Sequence, residues 1–522
     1  MQQRERGDSS VESTMKGRGL LLWFRIFYVY FEYTDKMAKF SGALKLTDLD
    51  DFITPSQECI KPVKVDRVAN ATKGSSAIKI ENDGSYIEID KTGAQKKLEK
   101  AVITLNDCLA CSGCITSAES VLIAEQSQEE LYKILEENKK VKEKEGGKEK
   151  LVVVSVSPQS VASLAVNFKK TMEEMSSKLV SFLKQLGVDF VFDITFSRDI
   201  SLIESAQEFV RRFQGSSNPG SIPMLASACP GWVCYAEKTH GDFILPYIST
   251  TKSPQQIMGS LVKDHLAKAH RKMPDQVYHV TIMPCYDKKL EASREDFYHD
   301  LYSTRDVDCV ITTGEVEIML NEHEVDIDSL PLTPMDEPFC SYDKDQLVSH
   351  EGSGSGGYLN YIFKYACKEL FGETVDSIEY KVLRNKDFYE CSLQVDGKEV
   401  LKFAAAYGFR NIQNVVQKLK RKRCGYHYIE VMACPSGCLN GGGQIKNEED
   451  KGSASQLLSK ENLQNVDAAY KSLRPRKPTE NPKLDLIYKE WLEDSNSDKV
   501  QSMLHTKYHA IEKFTSALTI KW

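Results

Sequence analysis

The chain has 522 residues, enough for a large core divided among two to four domains, and a formal net charge of -7 from 68 basic and 75 acidic residues. That balance offers nothing to nucleic acid. Its 14 cysteines fall in short-spaced groups with no secretory signal ahead of them, which excludes a secreted disulfide scaffold and points to metal-bound thiolates in a reducing compartment.

Residues 1–36 read as foreign to the rest of the chain. The apolar run Leu20–Phe31 carries Arg25, is too short to span a bilayer and lacks a small-residue cleavage site. Met37 opens a smoother sequence, so 1–36 is expected to be an atypical, disordered extension from an alternative start; a membrane-associating segment is the rival reading. Residues 37–127 form a first unit. Ala77–Ile80 and Tyr86–Ile89 alternate around the turn residues Asn82, Asp83 and Gly84, a hairpin pattern. Cys108, Cys111 and Cys114 then come at C-x2-C-x2-C spacing. Three thiolates so close together crowd one tetrahedral zinc, but successive turns of such a run wrap one iron–sulfur cubane. The ferredoxin pattern needs a fourth cysteine where this chain has Ala118, and Cys59 is the candidate replacement; a buried free thiol is its alternative.

Residues 128–150, rich in Glu and Lys, read as a solvated helix and linker. From 151 to 480, continuous apolar strands alternate with helical patterns: Leu151–Pro158, Val188–Asp193, Tyr278–Met283, Val307–Thr312, Phe403–Tyr407 and Tyr428–Met432. That alternation predicts an α/β core with parallel sheets flanked by helices. Ligands in such sheets gather at the C-terminal ends of strands, where Cys229, Cys285 and Cys434 fall. Cys434 and Cys438 form a C-x3-C pair ahead of Gly441, Gly442 and Gly443, whose backbone can approach cluster sulfurs closely. Taken alone the pair is equally a structural one. With Cys229 and Cys285 it completes four thiolates, enough for a second cubane. Cys234, Cys309, Cys340, Cys367, Cys391 and Cys424 lack turn chemistry and are assigned to structure. The Gly- and Ser-rich stretch 352–357 lacks a phosphate-loop signature and reads either as a lid over the second cluster or as a plain flexible loop. Residues 481–522 are expected to hold helices around Leu484–Leu492 and Met503–His509, then a tail, with His505 and His509 at the surface or capping.

Ala228-Cys229-Pro230-Gly231-Trp232, Met283-Pro284-Cys285 with Lys288 and Glu291, and Met432-Ala433-Cys434 with Cys438 resemble the three signatures of iron-only hydrogenases. The span from Phe40 to Trp522 is similar to the eukaryotic hydrogenase-like branch, the Nar-type, nuclear prelamin A recognition factor-like components of cytosolic iron–sulfur protein assembly. The resemblance implies a bilobal hydrogenase-type α/β core with an N-terminal cluster domain. It implies two [4Fe–4S] clusters, one on Cys59, Cys108, Cys111 and Cys114 and one on Cys229, Cys285, Cys434 and Cys438. It further implies a non-catalytic adaptor in the cytoplasm, and also in the nucleus, binding no nucleic acid or membrane. Its partners would be the early scaffold ATPases and the late targeting complex of a WD40 propeller protein with associated subunits. Hydrogenases place a proton-relaying cysteine where this chain has Ala228, and alanine cannot titrate. Lys288 and Glu291 are retained, which keeps a hydrogenase or other redox enzyme open as an alternative, beside a zinc-binding interaction module. The terminal Trp522 resembles the carboxy-terminal tag by which client proteins dock on the targeting complex, although Lys521 departs from the acidic or small residue usual before it.

Overall fold

The structure is a computed structural model that describes residues 77–80, 86–89, 95–97, 122–143, 149–215, 222–343, 346–447, 458–493 and 497–510, all within one compact unit. The extension 1–36, Cys59, Cys108, Cys111, Cys114 and Trp522 lie outside the described residues. The expected hairpin is present as β1 (Ala77–Ile80) and β2 (Tyr86–Ile89), antiparallel with Ala77 opposite Ile89, and β3 (Gln95–Lys97) extends it.

Two sheets organise the rest. The first has the order β8-β7-β4-β5, with β4 Leu151–Val156, β5 Phe190–Asp193, β7 Val277–Met283 and β8 Cys309–Thr312, every pair parallel. Its strands form because Val152, Val154, Val191 and Val280 can be buried completely between helical layers, each contributing about 1.5 kcal/mol or more. Val154 stands opposite Val191 on one side and Val280 on the other. Helix α1 (Gln128–Lys142) covers this lobe, followed by α2 (Pro158–Asn167), α3 (Met172–Leu186) and α4 (Ile194–Phe213). Ser157 caps α2 ahead of Pro158, a Thr171–Glu174 capping box opens α3, and Gly187 closes α3 at φ 109°.

The second sheet has the order β9-β10-β11-β12-β6. Its strands are β6 Met224–Ala226, β9 Lys381–Val382, β10 Phe388–Val395, β11 Lys398–Tyr407 and β12 Tyr428–Met432. The inner strands β11, β12 and β6 run parallel, while β9, β10 and β11 pair antiparallel at the outer edge. Helices α5 (Tyr358–Phe371) and α6 (Phe409–Lys420) pack on this sheet.

Two elements differ from their sequence reading. Helix α1 is not simply solvated: Leu131, Ile134 and Leu135 are buried in the first lobe's core, an i, i+3, i+4 stripe among the Glu and Lys residues. Helices do occupy Leu484–Glu490 and Asp498–Leu504, but His505 to Ala510 run beyond the second one as a strap. There Thr506 N donates to Thr250 O at 2.8 Å and the Tyr508 hydroxyl to Ser249 O at 2.9 Å. His505 is buried, with Nδ1 2.9 Å from Thr250 Oγ1, while the exposed His509 pairs with Asp296 at 2.8 Å. No helix among the described residues is long and apolar enough to cross a membrane.

Candidate cluster site

Three parallel strands end at one place. Strand β6 leads to Cys229, which stands at the N-terminus of the short helix Pro230–Tyr235; β7 leads through Pro284 to Cys285; β12 leads through Ala433 to Cys434. Cys438 opens the single turn Cys438–Asn440. Lobe one therefore supplies one thiol and lobe two supplies three. Ala433 N donates to Cys229 Sγ at 3.4 Å, tying two of the strand ends together.

The loops are interleaved too closely to admit side chains. A Cβ on Gly231 would come within 2.9 Å of Asp287 Oδ2 and 3.3 Å of the Ala433 Cβ. A Cβ on Gly441 would strike the Pro284 carbonyl, and one on Gly443 would lie 2.9 Å from Thr312 Cβ. Gly443 N donates to Pro284 O at 2.9 Å and its carbonyl accepts from Gly314 N at 2.9 Å, so the glycine run after Cys438 stitches lobe two to the strand end that carries Cys285.

Burial pushes the Cys229 thiol up to about 12 and those of Cys285 and Cys434 well above the ordinary value. The next causes are Asp287 and the neighbouring thiols themselves. Cys438 is raised by burial, against the Ser355 hydroxyl, Lys288 and Arg198, which favour its thiolate. Four desolvated thiols, three of them raised further by their neighbours, cannot ionise together unless a cationic centre compensates them. Soft thiolates from interleaved, glycine-lined loops are the donor set of an iron–sulfur centre, so the residues fit such a group. Among the described residues, no three or more Cys, His, Asp or Glu side chains are grouped to hold a single metal ion.

The Gly- and Ser-rich stretch is packed against the site as a cover. Ser355 Oγ accepts from Cys438 N at 3.1 Å, and the Gln159 side-chain amide donates to Gly354 O at 2.9 Å. Gly437, at φ 81°, lies so close that a Cβ would strike Ser355 Oγ. Behind the cover stands Glu430, mid-strand in β12 and fully buried. It accepts from Leu359 N at 2.8 Å and from the Tyr407 hydroxyl at 2.7 Å, and Tyr407 also lies 2.8 Å from Ser353 Oγ. Burial raises the Glu430 carboxyl. Ser355, Tyr407 and Glu430 escape the sequence reading; an acid inside the otherwise apolar run Tyr428–Met432 is the available signal.

Lys288 Nζ meets Glu291 at 2.8 Å and Ser253 Oγ at 3.1 Å, a buried ion pair just beyond Cys285 in the chain. Ala228, Cys234, Ser253, Arg294 and Tyr508 line a cavity of about 30 Å³, room for roughly one water, behind Cys229. The other cysteines stand apart: Cys309 is the first residue of β8, and Cys340, Cys367 and Cys391 are buried in the folded core.

This architecture is that of an iron-only hydrogenase. Residues 150–442 match the family described as the iron only hydrogenase large subunit, C-terminal domain, and residues 460–511 match the iron hydrogenase small subunit. The apo form of [FeFe]-hydrogenase HydA1 from Chlamydomonas reinhardtii superposes with a TM-score of 0.62 at 27% identity, over 73% of this chain and 98% of that one. Far more similar in sequence are a cytosolic Fe-S cluster assembly factor, narfl, of Xenopus tropicalis, 59% identical over 93% of this chain and 100% of the relative, and the cytosolic iron-sulfur assembly component 3 of Mus musculus, 56% identical over 92% and 99%. The chain belongs to this hydrogenase-like family of cytosolic iron–sulfur cluster assembly factors.

Proposed function

We propose that the chain acts in cytosolic iron–sulfur protein assembly as a non-catalytic adaptor carrying two [4Fe–4S] clusters. What supports the reading is that the loops carrying Cys229, Cys285 and Cys434 are interleaved, with Ala433 N donating to Cys229 Sγ and Gly443 N to Pro284 O, while the hydrogenase resemblance would set Ala228 where a hydrogenase has its proton-relaying cysteine. The names of the relatives support the pathway and the cytosol as its location; a nuclear pool goes beyond them. The second cluster would be held by these four thiols, and the first by Cys59, Cys108, Cys111 and Cys114 in an N-terminal domain of residues 37–127. Residues 128–150 would join that domain to the bilobal core of 151–480, and 481–522 would end in a docking tail.

When bound, such a cluster supplies a compensating charge that joins the lobes. The protein's own part is to present four thiolates, exclude water with the 352–357 cover, and direct the Ala433 N–H at Cys229. Lys288 is engaged by Glu291 and Ser253, and Ala228 has no proton to pass. The chain would link the early scaffold ATPases to the late targeting complex, whose WD40 protein would receive the chain end at Trp522. Anaerobically purified protein should contain about eight irons with matching acid-labile sulfide. Zinc without sulfide would replace the reading with a zinc-binding module, and evolution or uptake of hydrogen would replace it with a hydrogenase.

A further inference from the structure

The second cysteine loop reaches the surface at one edge. Pro435 is exposed and Cys434 and Ser436 are half-buried, whereas the Cys229 side of the site is closed by the strap at Thr506–Tyr508. That exposed edge is bordered by cations. Asp387 Oδ1 accepts from Ser436 N at 2.8 Å, which fastens the loop Arg384–Asp387 to the cysteine loop. Asn385 and Asn411 exchange side-chain hydrogen bonds at 3.0 and 3.2 Å, fastening the same loop to the first turn of α6, and Gly408 packs on Pro435. This scaffold presents Arg384, Lys386 and Arg410, all exposed, around the mouth of the cysteine loop.

At the far end of α6, about 18 Å away along a helix of this length, Lys420, Arg421, Lys422 and Arg423 are exposed in succession. None of these seven side chains makes an ion pair among the described residues, and two carboxylates in the same strand and loop are engaged elsewhere: Asp387 with Ser436, and Glu390 with Tyr426 and Lys402. Arg384 reaches only Asn414, at 3.4 Å, and Lys420 lies over the Phe243 ring. In a chain of net charge -7 this is a concentrated, uncompensated positive face, and it sits on two rigid elements.

We propose that this face, from Arg384, Lys386 and Arg410 to Lys420–Arg423, is the docking surface for an acidic surface of a partner protein, brought against the exposed edge of the Cys434–Cys438 loop. The face follows from the folded core alone; that its occupant approaches a cluster rests on the function proposed above. Electrostatic complementarity of this kind governs which partner is selected and how fast it associates. A protein fits better than a single-stranded nucleic acid, because two of the three rings among the cations, Phe388 and Tyr426, are buried beneath Lys418 and cannot stack on bases, which leaves only the exposed Phe243, with Lys420 over its ring.

The full chain, purified with its metal, is titrated with a labelled poly-L-glutamate peptide and with an oligothymidylate of equal charge. The peptide should bind more tightly at low ionic strength and lose affinity as salt screens the charges. The triple variant R384E/K386E/R410E should weaken peptide binding about tenfold or more, the sum of three exposed charge contacts, while K139E/K140E on the exposed face of α1 should not. Equal binding by the triple variant overturns the proposal, and preferential binding of the oligothymidylate overturns it in favour of nucleic acid. Iron and sulfide are measured on every variant. A normal iron content with lost peptide binding supports the surface, and a low iron content in the parent itself would count against the cluster reading and leave the surface to be judged by the titration.

Discussion

The two sheets that meet at the cysteines solve burial in different ways. The first is parallel throughout, and its valines disappear between helices; one of its interior polar groups, His279, is neutral, with Nδ1–H directed to Asp306 O at 3.0 Å and Nε2 2.9 Å from Ser155 Oγ. It gives the site one thiol. The second sheet is parallel only in its inner half, carries the fully buried Glu430 in its central strand, and gives three thiols. Both lobes hold desolvated acids, Asp193 at the end of β5 in the first and Glu430 within β12 in the second, but three of the four thiols come from the second.

The largest expected effect comes from breaking the set that joins them. Cys438→Ala should remove about half of the iron, about four atoms per chain, and lower the melting temperature, because bound metal contributes folding free energy; unchanged iron content and stability would refute the shared site. Within lobe two, Glu430→Ala should cost about 2 kcal/mol in chemical denaturation, since it strands the Leu359 N–H in a dry interior and leaves the Tyr407 hydroxyl with Ser353 alone. A cost near zero would mean that water reaches this strand.

Within lobe one the test is pH. Burial lowers His279 to about 4 from an ordinary 6.5. Between those values the unfolded chain binds the proton and the native chain does not. Its contribution is therefore fully present above pH 6.5 and is lost as pH falls toward 4, by up to about 3 kcal/mol. Asp193, which burial raises to about 6, acts in the opposite direction. The clean measurement is the stability of the parent minus that of His279→Gln, which should fall over this window; a flat difference would place the proton on the native imidazole. The smallest effect is expected from Ser355→Ala, which should cost about 1 kcal/mol and speed loss of iron to a chelator by loosening the cover on Cys438. Equal chelation rates would make the 352–357 stretch a bystander.

The contrast between the lobes also governs what is legible in the sequence. Runs such as Leu151–Val156 announce strands buried on both faces, and the cysteines at strand ends obey the general rule for α/β sheets. Tyr428–Met432 is legible as a strand, yet the role of Glu430 within it is not, because its partners Leu359 and Tyr407 are fixed only by the fold. The same holds for Ser355 on Cys438 and for Thr506–Tyr508 on the Ser249–Thr250 backbone, whose partners are far away in the chain. In α1, the charged majority masks the three apolar residues that anchor it. The Lys288–Glu291 pair can be expected from the sequence in kind, but its anchorage to Ser253 cannot.

Under the proposed function, the two lobes together hold one cluster, separate from a second one bound by the N-terminal cysteines. Iron and acid-labile sulfide counted on anaerobically purified parent, Cys285→Ala, Cys111→Ala and the double variant test it most directly. The expected contents are about eight, four, four and zero irons per chain. Retention of full iron content by Cys285→Ala, or zinc in place of iron and sulfide in the parent, would contradict it.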